Sequence, residues 1–459
     1  MEYSEFINQK RSIIRNAGFE PYSVPSKLFP FQQDLVKWAI RKGKAALWAG
    51  TGLGKTFMQT VWADQIARHT GMPVLILAPL AVSGQTIEEA KKLDIEISRF
   101  GGNNPIQIIN YEQLHRIDPG AFPGVVMDES SILKSFSGKI RNQIVDMFTH
   151  TTYKLCCSAT PSPNDYTEIG NHSDHLNVCS RTEMLAEYFV HDSGSTQKYR
   201  LKGHAEDAFF KFLASWAVMI NKPSDLGYND GGFDLPPINY YQHFVKSPLT
   251  PGKLFHDMAS TLDERRAARK ESVMDRCQLA ADLSRGSSEQ WLYWCDLNDE
   301  GKTLSKLIGN AVEVAGSDKP EDKEDRLLGF ASGKYQNLIT KPKIAQFGLN
   351  LQTCHNMIFV GLSDSFEAFY QAVRRCWRFG QTKPVNVHII LSEKEGNVLQ
   401  NIREKEARAE QMQQQMIKHM ADFSVQEVQN TTKQTIEYLP VKKMEVPEWL
   451  LTNTMAKAG

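Results

Sequence analysis

No charge excess of either sign marks this chain, in which 53 lysines and arginines face 53 aspartates and glutamates. That balance argues against a nucleic-acid coat protein but leaves room for a local basic groove, because net charge averages over faces. Cysteine is scarce: seven residues in 459, with Cys156 and Cys157 adjacent and no Cys-x-x-Cys pair. A disulfide scaffold and a zinc module are thereby excluded, and a reduced compartment is expected. Long apolar runs are missing as well. The longest, near 74–82, is too short to cross a bilayer, and Met1-Glu2-Tyr3-Ser4-Glu5 does not read as a secretion signal. The expectation is a cytoplasmic protein with no membrane partner. Zinc fingers, winged-helix patterns, strongly basic arms and tandem repeats are also lacking, so nothing visibly reads base pairs. At about 150 residues per domain, the length implies two or three domains.

What the chain does have is glycine in one telling arrangement. Ala49-Gly50-Thr51-Gly52-Leu53-Gly54-Lys55-Thr56 follows the apolar run 44–48 and precedes the breaker-free stretch 57–63. Strand, glycine-rich turn and helix form the context of a phosphate-binding loop. Gly50, Gly52 and Gly54 can take backbone angles closed to other residues, so successive N–H groups turn inward and the helix start faces phosphate. Lys55 is expected to neutralise β- and γ-oxygens, and Thr56 to offer its hydroxyl to Mg2+. The competing reading is a glycine-rich turn carrying a chance Lys-Thr.

Ahead of the loop, 28–40 opens on Pro30 and continues with apolar residues at helical spacing, with Gln32 in its first turn. A glutamine amide donates and accepts at once, which suits an adenine edge; a surface glutamine is the alternative. After the loop come the strand 73–80, a shorter strand near 107–112, and Gly124-Val125-Val126-Met127-Asp128-Glu129. C-terminal strand ends line the crevice of a parallel sheet, so Asp128 can hold Mg2+ and Glu129 can orient and deprotonate a water. A solvated acidic turn is the alternative. Strand 153–157 then runs into Ser158-Ala159-Thr160-Pro161, whose hydroxyls can bond the acidic loop and relay its state, or simply make a turn.

Periodicity weakens over 165–234, and the Gly- and Pro-rich stretch 227–237 reads as a boundary. The division expected is a first lobe, 1–235, with a helical insertion at about 165–234. A second lobe, 236–421, follows with a helical insertion at about 247–288, and then a tail, 422–459. Arg265, Arg266, Arg269 and Lys270 form a basic face that is either solvated or grips phosphate. Strands at 290–295, 337–340, 356–360 and 384–391 alternate with helices, as parallel crossovers require. A long polar helix reaches about Met420 and is expected to pack on the second lobe. The tail near Trp449 could dock a protein partner.

The last motif is Gln371-Ala372-Val373-Arg374-Arg375-Cys376-Trp377-Arg378-Phe379-Gly380-Gln381. Arginines three apart on a helix share a face, so Arg375 and Arg378 can both enter a cleft and act as arginine fingers in cis. In order, these stretches resemble superfamily-two helicases and translocases, most closely the Swi/Snf-type branch, over about 28–391. Further carriers are Pro30-Phe31-Gln32, Ala78-Pro79-Leu80 with Gln85, Asn110-Tyr111-Glu112, Asn164, Leu235-Pro236-Pro237 and Gly348-Leu349-Asn350-Leu351. The resemblance implies an α/β fold of two tandem RecA-like parallel-sheet lobes with helical insertions, and ATP with Mg2+ between them. It also implies a DNA strand crossing both lobes, held mainly by phosphate and sugar. Pro79, Gln85, Asn110, Tyr111, Lys343, Gly348 and Asn350 are then expected at DNA, and Ser158, Thr160 and Gln371 in coupling. Departures from the family pattern are Ala49-Gly50, Arg374, Trp377, Lys343 and Ala345-Gln346. The activity implied is DNA-stimulated ATP hydrolysis driving movement on duplex or branched DNA, in a bacterial or phage-infected cytosol. The other reading is an ATP-controlled binding subunit that recruits a nuclease, methyltransferase or replication partner.

Overall fold

Apolar runs without alternation make strands buried on both faces, and such strands pair in parallel beneath helical layers. The computed structural model describes residues 17–429 apart from 80–81, 135–137, 163–164, 193–194, 247–260, 346–349 and 364. Its first sheet contains β1 (Lys44–Ala49), β2 (Val74–Ala78), β3 (Ile97–Arg99), β4 (Ile106–Asn110), β5 (Gly124–Asp128) and β6 (Tyr153–Ser158). An antiparallel hairpin of β7 (Phe189–Asp192) and β8 (Ser195–Leu201) comes next, and then β9 (Ala217–Ile220) closes the sheet. The order is β3-β4-β2-β5-β6-β1-β9, parallel throughout.

The second sheet is also parallel. It takes β10 (Ile238–Val245), β11 (Trp291–Trp294), β12 (Ala311–Glu313), β13 (Asn337–Thr340), β14 (Asn356–Phe359) and β15 (Val385–Ser392) in the order β10-β15-β14-β11-β13-β12. Two tandem α/β lobes follow, as expected. Residues such as Trp62, Ile76, Val126 and Leu155 pack under one face of the first sheet, and Trp48, Leu75, Met127 and Trp216 under the other.

Two expectations need correction. Segment 165–234 is not a purely helical insertion: helices Ile169–His175, Arg181–Tyr188 and Glu206–Ala214 are interrupted by the β7–β8 hairpin, and β9 pairs with β1 as the sheet's edge. The long helix, Gly396–Val428, does not pack on the second lobe alone. Val398, Ile402 and Ala409 enter the second-lobe core, whereas Met416 and Met420 enter the first. These five lie at spacings of four and seven, one stripe of a helix, so a single apolar seam crosses from lobe to lobe. Gln429 extends the contact by donating to the Leu226 carbonyl, 3.1 Å away. Trp449 and the rest of 430–459 lie outside the described residues.

Met420 is fully buried in the first-lobe core. Met420→Ala should therefore destabilise the protein by about 2–5 kcal/mol, the range for deleting a buried methionine side chain. Chemical denaturation of the full chain checks this, and an unchanged midpoint would mean that the helix does not engage the first lobe.

Candidate active site

Neighbouring strands β5, β6 and β1 end together, with Asp128 in register beside Cys157 and Trp48 beside Ser158. Three chemically distinct loops therefore start side by side at the C-terminal edge of the sheet, where such sheets hold ligands. After β1 the chain turns through Gly52 (φ 93°) and Gly54 (φ 79°) into the helix Lys55–Thr70. A Cβ on Gly54 would stand 2.3 Å from the amide nitrogen of Gln32, and one on Gly52 2.8 Å from the backbone nitrogen of Phe379 in the second lobe. Glycine is needed at both for conformation and for space. Lys55 Nζ donates to the carbonyls of Ala49 (2.7 Å) and Gly50 (3.2 Å), acceptors that carry no full charge.

Gln32 is buried and already employed. It donates to the Leu53 carbonyl (2.9 Å) and accepts from Phe29 N–H (3.0 Å), so it fastens the glycine loop to the preceding helix.

The acidic loop is more strained and more crowded. Glu129 sits at φ 60°, a left-handed conformation unusual for a side chain of its size, at a cost of roughly 1–3 kcal/mol. Its Oε1 accepts from both Ser131 Oγ and Ser158 Oγ, each at 2.8 Å, and Thr160 N–H donates to Ser158 Oγ at 3.0 Å. The structure thus joins Ser158 and Thr160 to the acidic loop in one chain of hydrogen bonds. Behind it, His172 contacts Ser130 Oγ at 3.1 Å and Asn171 donates to the Leu133 carbonyl at 2.7 Å, bracing the short turn Ser130–Lys134. Burial pushes the Asp128 carboxyl up to about 6; the Glu129 charge adds to this, while Gln59 and Lys55 oppose it.

From the second lobe, the helix Phe366–Val373 leads into the turn that carries both arginines. Arg375 is buried and donates to Gln371 Oε1 at 3.1 Å. Burial and the neighbouring Arg378 lower its guanidinium to about 10, whereas Glu129 and Asp128 raise it, so it stays cationic at neutral pH. Burial also lowers Arg378. Lys55 is lowered by burial and by Arg378, against the pull of Glu129 and Asp128. Lysine, two carboxylates and two guanidinium groups therefore share one electrostatic site at the seam.

Sequence reading overlooked the apolar part of that site. Phe29, Gln32, Gly52, Gly54, Phe233 and Phe379 line a cleft of about 240 Å³. Phe233 and Phe379 lie 4.6 Å apart by ring centroid, and Phe29 meets Phe233 edge-on at 5.0 Å. The signal was available, since Phe29 and Phe379 stand beside motif residues already singled out. The donor set fits a nucleoside triphosphate with Mg2+. Adjacent carboxylates in a desolvated pocket call for a cation, and Lys55 with two arginines calls for an anion. Thr56 is half-buried in the first turn of its helix, beside Lys55.

The residues expected at DNA divide. Tyr111 is a correction: it is buried, and its hydroxyl donates to the Asp128 carbonyl at 2.8 Å, so it supports the acidic loop and is closed to nucleic acid. Asn110 is buried at the end of β4; Gln85 donates to Glu89 at 2.6 Å; Pro79 and Asn350 are half-buried, and Lys343 is exposed. Gly348, with Gln346, lies outside the described residues, as do Leu80 and Asn164. On the basic helical face, Arg269 is likewise unavailable, since it is buried against Asp296 and Glu395.

Residues 275–380 match the family described as the helicase conserved C-terminal domain. That span lies within the second lobe. It contains Gln371, Arg375 and Arg378, and the second lobe with the parallel first lobe gives the two tandem RecA-like lobes that were expected. Among solved structures, the chain is similar to one described as the Sulfolobus solfataricus SWI2/SNF2 ATPase core in complex with dsDNA. The identity is 18%, the match covers 82% of this chain and 90% of that one, and the TM-score is 0.41. Among the described residues, no helix is long and apolar enough to cross a membrane.

The raised Asp128 carboxyl gives a pH signature with a definite sign. Its stabilising contribution is present below the ordinary carboxylate range and is lost as pH rises through about 6. Without Mg2+, wild type should lose melting temperature relative to Asp128→Asn between pH 5 and 7. Parallel melting curves across that range would contradict the assignment.

Proposed function

We propose that this chain is an ATP-driven translocase that couples hydrolysis between its lobes to movement along nucleic acid, with duplex or branched DNA as the track. The observation that carries the reading is the meeting of the phosphate loop and acid pair of one lobe with Arg375 and Arg378 of a helicase C-terminal domain. Lys55 exchanges two carbonyl partners for triphosphate oxygens, where its charge counts for more. Thr56 and Asp128 would hold Mg2+, which when bound neutralises phosphate charge. Glu129 orients and deprotonates the attacking water, and Arg375 and Arg378 stabilise charge developing on the γ-phosphate. The aromatic cleft at Phe29, Phe233 and Phe379 takes the base, with Gln32 holding the loop beside it.

Movement follows from the seam. Ligand charge balances cations on both lobes, so binding draws them together and product release lets them part. Ser158 and Thr160 tie Glu129 to the segment leaving β6, the direct physical link by which nucleic acid on the outer loops can influence hydrolysis. Half-buried and exposed positions, Pro79, Gln85, Lys343 and Asn350, remain the candidate backbone contacts.

Purified protein should hydrolyse ATP several-fold faster with DNA than without. Lys55→Ala and Glu129→Gln should each lower turnover by at least about 100-fold, and Arg378→Ala by about 1,000-fold, on the scale of lost arginine fingers. Stimulation measured across single-stranded, duplex, forked and four-way DNA and RNA defines the track. A rate indifferent to every nucleic acid would contradict translocation and favour a nucleotide-controlled binding subunit.

A further inference from the structure

Glu367 has no place in the chemistry described so far, yet it reaches across the seam. It lies in the first turn of the helix Phe366–Val373, one turn ahead of Gln371 and two ahead of Arg375. Residues four apart share a helix face, so Glu367 and Gln371 lie on one side of the helix, and Arg375 in the turn that follows donates back to Gln371. Glu367 forms an ion pair with Lys134, and its Oε1 lies 3.4 Å from Ser131 Oγ. Ser131 and Lys134 both belong to the turn braced by Asn171 and His172.

Ser131 has one hydroxyl proton and two carboxylates within reach: Glu129 Oε1 at 2.8 Å and Glu367 Oε1 at 3.4 Å. A hydroxyl donates to one acceptor at a time with good geometry. Glu129 Oε1 meanwhile holds two donors, Ser131 and Ser158, on the oxygen that should receive the water's proton. We infer that Glu367 is a positioning residue for hydrolysis. As the second lobe closes, its carboxylate draws the Ser131 hydroxyl away from Glu129 and frees that oxygen for the attacking water. The step is a hydroxyl rotation in which no covalent bond changes. Lys134 holds the Glu367 carboxylate in place through their ion pair. Closure and competence for hydrolysis become a single event, so ATP bound by an open pair of lobes is not wasted.

This inference rests on the proposed ATPase, and the experiment separates the two. Turnover and KM for ATP are measured with Mg2+ and saturating duplex DNA for wild type, Glu367→Gln, Ser131→Ala and the double variant, with melting temperatures to confirm folding. Glu367→Gln should lower kcat about tenfold while KM stays within about twofold. In the Ser131→Ala background, where no hydroxyl remains to be moved, the same change should alter kcat by less than about twofold. Equal losses in both backgrounds, or no loss in either, would overturn the relay while leaving the ATPase standing. A wild-type protein without turnover would overturn the ATPase reading and this inference with it.

Discussion

Two carboxylates side by side at the end of a buried strand repel each other, and the cations gathered around them organise the molecule. Asp128 and Glu129 follow each other at the end of β5, where desolvation and mutual repulsion hold the Asp128 proton on up to about 6. Lys55 supplies part of the compensation from the same lobe. Arg375 adds to it from the other lobe, while Arg378 beside it is drawn by Glu89. Lys55, Arg375 and Arg378 face Asp128, Glu129 and Glu89, so each cation already has an acidic neighbour with which a bound polyanion would compete. Both lobes thus contribute charge to one place, which couples the position of the lobes to whatever charge binds there.

Two of the departures from the family pattern, Arg374 and Trp377, resolve into local packing. Arg374 lays its guanidinium 4.2 Å over the ring of Trp377 and also reaches Tyr370, at 5.1 Å, so the two unusual residues stack on each other. Trp377 in turn donates its indole N–H to the Pro236 carbonyl at 2.7 Å, tying the arginine turn to the interlobe crossover. Gln381 finishes the turn as a staple, its amide donating to the carbonyls of Gln352, Cys354 and Cys376 at 3.0–3.2 Å. Such packing fixes the backbone that presents Arg375 and Arg378, and a fixed backbone lets a guanidinium act without reorganising. The helix Gly396–Val428 adds a second tie between the lobes, distant from the phosphate loop.

Most of this was legible because the chemistry is local in sequence. A glycine loop between strand and helix, acids at a strand end and arginines three apart each declare themselves within a dozen residues; the first sheet brings the loop and acids together, and the second lobe brings the arginines. Features that depend on tertiary packing were not legible. β3 and β12 are three residues long, too short for periodicity to mark, and β9 follows a helix in a stretch whose periodicity is weak. Tyr111 looked accessible after its strand, but only the fold shows its hydroxyl turned inward to Asp128. Gln32 reads as a base contact, whereas its amide is engaged with Leu53 and Phe29. Glu367 stands in a helix with nothing unusual about it, and its partners lie more than 230 positions away in the chain.

A solved structure with Mg2+, ADP and aluminium fluoride tests the shared site most directly. The charge balance described here predicts that the fluoride is held within about 3 Å by Lys55 from one lobe and by Arg375 or Arg378 from the other. A fluoride contacted by the first lobe alone, with both guanidinium groups turned away, would contradict it.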